Sequence, residues 1–306
     1  MKISIIIPVY NEEDNIAELY KRLTGVLYKI PHESEIIFID DASQDATSKI
    51  LKGYSVNDNR IKVILFSRNF GHQTALIAGL DTATGDVIVS MDGDLQDQPE
   101  VIPSLILKFN EGFDIVYAKR RTRQDTLFKK CAAFIFYRLI NGLSSTKIPS
   151  DVGDFRLISS QVRDELIKFK EHAPFLRGLV SWMGFRQATV EFDRDRRFAG
   201  VPKYSLRKLI NLAFDGVMSF TFKPLWVIGL VGGAFFITGL VGEILIIISS
   251  YINNVVIITP AFILFTLFFL SGILLLSMGI IGGYIARISS ESINRPRYII
   301  RERIGF

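Results

Sequence analysis

Two aspartates separated by a single glycine are the sharpest chemical feature of this 306-residue sequence. Asp92, Gly93 and Asp94 stand in the run MDGDLQD, directly after an apolar segment. Two carboxylates this close repel each other unless a cation lies between or beside them, and their hard oxygen ligands suit Mg²⁺ or Mn²⁺. The glycine lets the backbone turn and approach a ligand closely. Many such pairs occur in solvated turns, so whether this pair binds a metal ion depends on where the fold places it.

The elements that must position this pair follow a regular alternation. Apolar runs at 3–9, 35–40, 61–66, 86–91 and 113–118 alternate with helix-like stretches at 12–29, 44–54, 72–83 and 99–110. This pattern predicts an α/β domain with a mainly parallel sheet that helices cover on both faces. Ligands bind such sheets at the carboxyl ends of the strands. The unusual polar residues stand at these ends, together with Pro8: Tyr10, Glu12, Asp40, Asp41, Ser67, Arg68, Asn69, Asp92, Asp94 and Arg120.

Other chemistries find little support. The sequence contains no GxGxxG, GxxxxGK[ST] or GxSxG motif. The three histidines, His32, His72 and His172, show no metal-ligand spacing, and we interpret each as a surface or packing residue. The single cysteine, Cys131, cannot form an intrachain disulfide or a zinc pair.

Charge is distributed unevenly along the chain. From Pro224 to Ala286 the only charged side chain is Glu243, although the whole chain carries a net charge of +5. Segments 224–252 and 261–286 each exceed the roughly 20 apolar residues that cross a bilayer, so we expect two transmembrane helices. Basic residues flank this region at both ends, which predicts cytoplasmic termini and an inner (cytoplasmic) membrane location rather than nucleic-acid binding.

The same charge pattern divides the chain into parts. Segment 203–223 alternates basic and apolar faces at helical spacing and is expected to lie in the headgroup layer as a juxtamembrane amphipathic helix. Segment 1–202 is then the predicted cytoplasmic domain, and 287–306 a basic cytoplasmic tail.

The chemistry-bearing runs together resemble family 2 glycosyltransferases of GT-A fold, a Rossmann-like α/β architecture. The likeness is carried by IIIPVYNEE (5–13), DDASQDAT (40–47), SRNFG…ALIAGL (67–80), DGDLQDQPE (92–100) and GDFRL (153–157). More narrowly, the sequence looks like the polyprenyl-phosphate sugar transferases, which include bactoprenol glucosyltransferases and dolichol-phosphate mannose synthases. The resemblance covers essentially the whole chain.

The resemblance implies a role for each site residue. Asp92 and Asp94 would hold the metal, Mg²⁺ or Mn²⁺. The nucleotide sugar would be bound by Pro8, Tyr10, Glu12, Asp41, Asp92, Gly93, Gln96 and Arg197. The acceptor phosphate would be bound by Arg120, Arg156 and Lys203, and the catalytic set would be Asp94, Asp154, Arg120 and Lys203. Asp154 is the favoured residue if the reaction uses a base. His72 and Gln98 stand where lysine and proline are common, and neither is expected to touch the chemistry.

The implied reaction is the inverting transfer of a hexose from a nucleotide diphosphate sugar to a polyprenyl phosphate such as undecaprenyl phosphate. UDP-glucose is the first choice of donor. The product would be a lipid-linked monosaccharide for cell-envelope glycan modification, as in O-antigen modification. A phosphate monoester is largely dianionic at neutral pH because its second pKa is near 6, so the acceptor needs alignment more than deprotonation. A homo-oligomer is expected, and nucleic acid is not an expected partner.

Two alternatives stay open. A processive polysaccharide synthase of the same fold would pass a growing chain through a channel, for which two spans are too few within a monomer, and its Gln-x-x-Arg-Trp signature is absent from the run 175–182. A non-catalytic membrane protein that binds nucleotide sugars would have less need for the acidic pair, Arg120 and Lys203.

Overall fold

The computed structural model describes residues 1–121, 152–169, 176–193, 260–292 and 295–306, together with positions 248 and 252. The chain divides into two compact units, one of residues 1–216 and 295–306 and one of residues 217–294.

Within the described residues, the first unit contains one sheet of eight strands. Their bounds are β1 (Lys2–Val9), β2 (Glu33–Asp40), β3 (Ile61–Phe66), β4 (Val87–Ser90), β5 (Ile115–Arg120), β6 (Val152–Ser159), β7 (Gln187–Phe192) and β8 (Ile300–Ile304). The order across the sheet is β7-β5-β6-β4-β1-β2-β3-β8. Four pairs are parallel: β1 with β2, β1 with β4, β2 with β3, and β5 with β7. Three pairs are antiparallel: β6 with β4, β6 with β5, and β8 with β3.

Helices connect the strands as the alternation predicts. They are α1 (Glu13–Leu27), α2 (Thr47–Asn57), α3 (His72–Thr82), a 3₁₀ turn (Pro99–Val101) that leads into α4 (Ile102–Asn110), α5 (Ser160–Leu166), α6 (Leu176–Trp182) and α7 (Pro260–Ser292). The five predicted strands and the four predicted helices are confirmed to within a few residues. The central strand β1 is buried on both faces, with Ile3, Ile5 and Ile7 in one core with α1 and Ile6 buried on the other face. This explains its continuous apolar run.

Strand β8 was not predicted, because the sequence analysis assigned 287–306 to a tail. The structure instead pairs Arg303 with Ile64 and Ile304 with Val63 at the edge of the sheet. Its sequence, IRERI, keeps three charged residues exposed at this edge. Charged side chains are a common way to protect an edge strand, and they remove the apolar run by which strands are found in sequences.

The amphipathic helix and the two membrane spans were predicted for the C-terminal part of the chain, much of which lies outside the described residues. The amphipathic helix 203–223 lies outside the described residues, as does the first predicted span, 224–252, apart from positions 248 and 252. Helix α7 covers the second predicted span, 261–286. Over the described residues, no helix meets the combined length and hydropathy of a membrane-crossing segment. The two spans and the orientation of the termini stay predictions.

Candidate active site

The acidic run lies directly beyond β4, at the carboxyl end of the central strands. The Met91 amide donates to the Ile6 carbonyl oxygen at 3.1 Å, so the chain stays beside β1 after β4 has ended. A Cβ at Gly93 would lie 2.9 Å from Val9 Cγ1 and 3.4 Å from the Pro8 carbonyl oxygen. A side chain at this position would therefore push the turn away from β1. The glycine holds both aspartates against the end of that strand.

Hydrogen bonds within the run fix its shape. Asp97 is almost fully buried and accepts the Asp92 amide at 3.2 Å, while Asp94 Oδ1 accepts the Gln96 amide at 3.2 Å. Between them, Leu95 adopts a positive φ of 60°, a region that L-residues rarely occupy. The Asp92 side chain keeps 29% exposure, whereas Asp94 is 7% exposed. Asp92 is therefore the more accessible carboxylate of the pair.

This donor set fits one particular kind of metal site. Over the described residues, no group of three His, Cys, Asp or Glu side chains converges on a metal position. Magnesium bound together with substrate phosphates needs only one or two protein carboxylates. Asp92 and Asp94 supply hard oxygen donors of this kind. The residues therefore fit a divalent ion that substrate oxygens hold in large part.

Asp154, on β6, forms the centre of a second cluster. Its side chain is only 5% exposed, and Arg177 of α6 grips both carboxylate oxygens, with Nε 3.1 Å from Oδ1 and Nη2 3.0 Å from Oδ2. Gln73 Nε2 also donates to Oδ2 at 3.2 Å. Burial by itself would raise the pKa of Asp154, but Arg177 and His72 hold it well below its usual range. Such a carboxylate accepts protons poorly, and a role for Asp154 as a base stays a prediction.

Arg156 lies two residues along β6, on the same face of the sheet as Asp154. Its Nη2 lies 3.7 Å from Asp154 Oδ1, and its side chain is 4% exposed. Burial lowers the pKa of its guanidinium, and Nη1 has no hydrogen-bond partner among the described residues. In the described residues its guanidinium is a buried counter-charge to Asp154. Binding of the acceptor phosphate by Arg156 stays a prediction.

His72, the first residue of α3, lies between the two carboxylate clusters. Its Nε2 is 3.5 Å from Asp92 Oδ1 and 3.4 Å from Asp154 Oδ2. Burial lowers the pKa of His72, but Asp154 and Asp92 outweigh this effect and raise the pKa to about 9. The two carboxylates thus favour the protonated form of the imidazole. The sequence analysis interpreted His72 as a surface or packing residue, whereas the structure places it in contact with both carboxylate clusters.

A sequence signal for His72 did exist. It follows the end of β3, on the same edge of the sheet as Asp92, and it stands where lysine is common in the family that the sequence resembles. For Arg177 and Gln73 no such signal is visible. Arg177 meets Asp154 across 23 positions of sequence, and no motif spacing connects the two residues.

The ends of β1 and β2 are joined into one wall. Asn11 adopts a φ of 50°, its amide donates to Ser43 Oγ at 2.9 Å, and its Oδ1 accepts the Gln44 amide at 2.8 Å. The Glu12 amide donates to Thr47 Oγ1 at 2.9 Å. Beside this wall Pro8 is buried, and Tyr10 and Glu12 are partly exposed. These three residues therefore lie where the sequence analysis placed the nucleotide, and contact with it stays a prediction.

Asp41 fixes the loop that leads into α3. It is 4% exposed, and its two oxygens accept the amides of Phe70 at 2.6 Å and Gly71 at 2.9 Å. Burial raises the pKa of this carboxyl. The observed contacts thus give Asp41 a structural task that the sequence did not suggest, because they set the position from which His72 projects. Binding of the nucleotide by Asp41 stays a prediction.

Three predicted cations are not placed at side-chain level. Arg120 ends β5, and its side chain is not among those that the structure describes. Arg197 and Lys203 lie outside the described residues.

Residues 4–167 match the family described as Glycosyl transferase family 2. The whole chain is 44% identical over 304 residues to an uncharacterized glycosyltransferase of Bacillus subtilis (strain 168), YkcC, covering 99% of this chain and 94% of that protein. The chain belongs to glycosyl transferase family 2.

Further similarities of this family 2 glycosyltransferase extend over most of its length. It is 43% identical over 305 residues to a bactoprenol glucosyl transferase of Shigella phage SfV, covering 98% of each chain. Its fold is similar to that of glucosyl-3-phosphoglycerate synthase from Mycobacterium tuberculosis, in a crystal structure with Mn²⁺, uridine diphosphate and phosphoglyceric acid. That likeness has a TM-score of 0.52 at 18% identity and covers 71% of this chain and 76% of the other. The predicted GT-A-like α/β domain is confirmed.

Proposed function

We propose that this glycosyltransferase transfers one hexose from a UDP-sugar, with UDP-glucose the first choice, to a polyprenyl phosphate. The observation that carries this proposal is the acidic turn at the end of β4, which brings Asp92 and Asp94 to the carboxyl end of the central strands. A similar protein that spans nearly the same length is named a bactoprenol glucosyl transferase, and this supports a lipid phosphate as the acceptor.

The donor side of the reaction requires stabilisation of negative charge. When the bond between the anomeric carbon and the β-phosphate oxygen breaks, both electrons stay with the departing diphosphate. We propose that Asp92 and Asp94 hold Mg²⁺ or Mn²⁺, which when bound neutralises this charge. Preorganised cationic groups at such a position contribute a few kcal/mol each to transition-state stability. Tyr10, Glu12 and the buried Pro8 would border the nucleotide, and Arg120, Arg197 and Lys203 are the further cations proposed to face the phosphates.

The acceptor side needs no strong base. A phosphate monoester is mostly dianionic at neutral pH, and its oxygen is then already a nucleophile. This agrees with the pKa of Asp154, which Arg177 and His72 hold well below its usual range. A single displacement with inversion at the anomeric carbon is what the resemblance to this family implies.

We also propose that the enzyme works at the cytoplasmic face of the inner membrane. Segments 224–252 and 261–286 have the composition of membrane spans, and basic residues flank them. The amphipathic segment 203–223 would then hold the active site at the level of the lipid phosphate. Assembly into a homo-oligomer belongs to the same proposal.

A transfer assay tests the reaction. Detergent-purified full-length protein is incubated with Mn²⁺ or Mg²⁺, undecaprenyl phosphate and a panel of labelled sugar nucleotides. The expected product is one hexose per lipid, formed best from UDP-glucose and lost on chelation of the metal. Polymer formation would indicate the synthase, and donor binding without transfer would indicate the non-catalytic protein.

Asp92→Asn is the matching variant for this assay. It should lower turnover at least about a hundredfold while the fold persists, because it removes the more accessible carboxylate of the pair. Asp164→Asn is the control, since this exposed residue of α5 follows the opposite end of β6. Equal activity of the two variants would contradict the role of Asp92.

A further inference from the structure

We propose that one basic surface of the first unit binds the phosphate headgroups of an anionic membrane. This surface, which we call the arginine surface, consists of Arg68 in the loop after β3 and of Arg295, Arg297 and Ile299 in the segment before β8. The inference rests on the proposed function, which places the reaction at a membrane, and it names the part of the domain that faces the lipid.

Two contacts join the parts of the arginine surface. The Ser67 amide donates to the Ile299 carbonyl oxygen at 3.0 Å, so the start of the loop lies against the segment before β8. The ring of Tyr298 stacks on that of Phe66, the last residue of β3, with the centroids 5.2 Å apart. Residues 230 positions apart in the sequence thus form one continuous surface.

Arg68 is ordered although it is exposed. Its guanidinium lies over the ring of Phe70, with Cζ 4.1 Å from the centroid, and its Nη1 donates to the Asn69 carbonyl oxygen at 3.1 Å. Phe70 in turn contacts Phe66 edge to face. A cation held on an aromatic ring in this way loses little side-chain freedom when it binds an anion.

The positive charge of the arginine surface is not balanced. Over the described residues, none of its three arginines forms an ion pair. The two neighbouring carboxylates are engaged by other groups, since Asp81 accepts a hydrogen bond from Tyr298 Oη at 2.7 Å and Glu302 pairs with Lys52 at 2.6 Å. Guanidinium groups stay charged at any physiological pH, so the surface attracts anions.

An exposed apolar side chain lies among these cations. Ile299 is 53% exposed, and its backbone contact with Ser67 places it next to Arg68. Cations that alternate with an accessible apolar side chain suit the headgroup layer, where phosphates and the first methylene groups of the lipids are both present. A soluble anion would leave the isoleucine without a partner.

The position along the chain also favours lipid. Arg295 and Arg297 come within five positions of Ser292, the last residue of α7, and α7 covers the second proposed span. Basic residues that directly follow a span lie at the level of the headgroups and bind anionic lipids there. The same layer contains the phosphate of a polyprenyl phosphate.

The loop that carries Arg68 connects the arginine surface to the active site. Residues 67–71 lead into α3, which begins with His72 at the crevice, and Asp41 accepts the amides of Phe70 and Gly71. Docking through Arg68 would therefore hold this edge of the crevice close to the acceptor phosphate.

A fluorescent label tests the docking. Full-length Cys131→Ser protein with a bimane at Asn69→Cys is reconstituted in lipid nanodiscs whose headgroups carry a nitroxide quencher. Asn69 is exposed beside Arg68, so docking brings the label to the quencher. We expect strong quenching with phosphatidylglycerol, less with phosphatidylcholine, and loss of quenching at high salt, because salt screens the charges. A label at Lys29→Cys, which is exposed at the opposite end of the sheet, should stay bright.

Charge variants identify the residues that dock. Arg68→Gln and Arg297→Gln should each lower the ratio of docked to undocked enzyme about fivefold, whereas Arg68→Lys should retain most of it. Arg186→Gln is the matched control. Arg186 is also exposed and lies over a phenylalanine, with Cζ 5.3 Å from the Phe113 centroid, but it precedes β7 at the opposite end of the sheet. Thermal unfolding shows whether each variant is folded.

Two acceptors separate docking from binding of substrate. Arg68→Gln and Arg297→Gln should lower turnover about fivefold with undecaprenyl phosphate in the nanodisc. With a water-soluble short-chain prenyl phosphate, which reaches the site from solution, turnover should change less than about twofold. An equal loss with both acceptors would assign these arginines to the substrate site and overturn the inference.

The label also separates this inference from the proposed function, because it reports docking without turnover. If the wild type docks in phosphatidylglycerol but transfers no sugar, the function is wrong and the arginine surface stands. If it transfers glucose while the label at position 69 is quenched no more than the label at position 29, the surface is wrong and the function stands. Loss of quenching with inorganic phosphate, but not with chloride at the same ionic strength, would assign a soluble anion and overturn the proposal.

Discussion

At the scale of single residues, the site depends on which charges are buried and which are exposed. Asp154 and Arg156 are held inside the domain, while Asp92, His72 and Arg177 keep part of their side chains accessible. Asp154 holds His72 and Arg177 in place through its carboxylate. The sequence distinguishes the residue types but not their exposure, so it could not show that Arg156 is buried or that His72 contacts both carboxylate clusters.

The glycine of the acidic run supports a specific prediction. Gly93→Ala should lower turnover about tenfold or more, because its Cβ would press against Val9 Cγ1 at 2.9 Å and displace the turn that carries both aspartates. Steady-state transfer kinetics over a range of Mn²⁺ concentrations measures the effect, and the requirement for metal should rise as well.

A second substitution provides the test of this cause. Val9→Ala removes the atom that the new Cβ would meet, so the double variant Val9→Ala/Gly93→Ala should recover part of the lost turnover. Val9→Ala alone should mainly lower thermal stability, since Val9 is 3% exposed. If the double variant is no more active than Gly93→Ala, the steric explanation is wrong.

At the scale of elements, what could be predicted depended on the pattern of burial along each strand. β1 to β5 are apolar runs and were found. β6 was not, because it carries Asp154 and Arg156 within the sheet, and its sequence, VGDFRLIS, breaks the apolar pattern. The same charges make β6 part of the site. β7 and β8 were not predicted either, but of these three strands it is β6 that contributes Asp154 and the second cluster.

Strand β8 and the segment before it are predicted to hold the loop that precedes His72. Tyr298 Oη donates to Asp81 at 2.7 Å, and its ring stacks on Phe66 at a centroid distance of 5.2 Å. Phe66 in turn contacts Phe70 edge to face, and the Phe70 amide is bound by Asp41. Tyr298→Ala should therefore lower the free energy of unfolding by about 2 kcal/mol and increase hydrogen exchange of the amides at 67–71.

Glu302→Gln is the control for this prediction. It removes the ion pair with Lys52 at 2.6 Å, whose side chains are 43% and 44% exposed, and exposed pairs contribute little. Hydrogen exchange at 67–71 should be unchanged in this variant. Unchanged exchange in Tyr298→Ala as well would show that the C-terminal segment does not order the loop.

A buried carboxylate at the other end of the sheet predicts how stability depends on pH. Glu35 is 3% exposed and accepts hydrogen bonds from Lys62 Nζ at 2.8 Å and Ser4 Oγ at 2.5 Å. Burial would raise the pKa of Glu35, but these donors and Thr84 lower it from 4.5 to about 2. Because the unfolded chain binds this proton more readily, the stabilisation is complete above about pH 4.5 and is lost as the pH falls toward 2.

The size of this effect is about 3 kcal/mol, at roughly 1.4 kcal/mol for each unit of pKa. Glu35→Gln should lower the thermal stability at pH 7 and reduce the slope of stability against pH between 2 and 4.5. Glu33→Gln is the matched control, because Glu33 is exposed at the start of the same strand. Parallel pH profiles for wild type and Glu35→Gln would contradict this assignment.

At the scale of the whole molecule, the reaction requires two anions to meet, and one of them is attached to a lipid. Charges of like sign at close range repel, so the enzyme must supply cations on both substrates and must work where the lipid phosphate lies. For the first requirement we propose the metal at Asp92 and Asp94 together with Arg120, Arg197 and Lys203. The second is the reason that the apolar segments 224–252 and 261–286 are part of the proposal.

The topology of these segments gives the last prediction. With both termini in the cytoplasm, the short uncharged segment between the proposed spans must lie outside the cell. After Cys131, the only native cysteine, has been replaced by serine, a cysteine at Asn253 should react with a membrane-impermeant maleimide on intact cells. A cysteine at Lys29, exposed on the first unit, should react only after the cells are permeabilised. The opposite pattern would place the active site on the outer face, where nucleotide sugars made in the cytoplasm do not reach it, and the proposed reaction could not take place there.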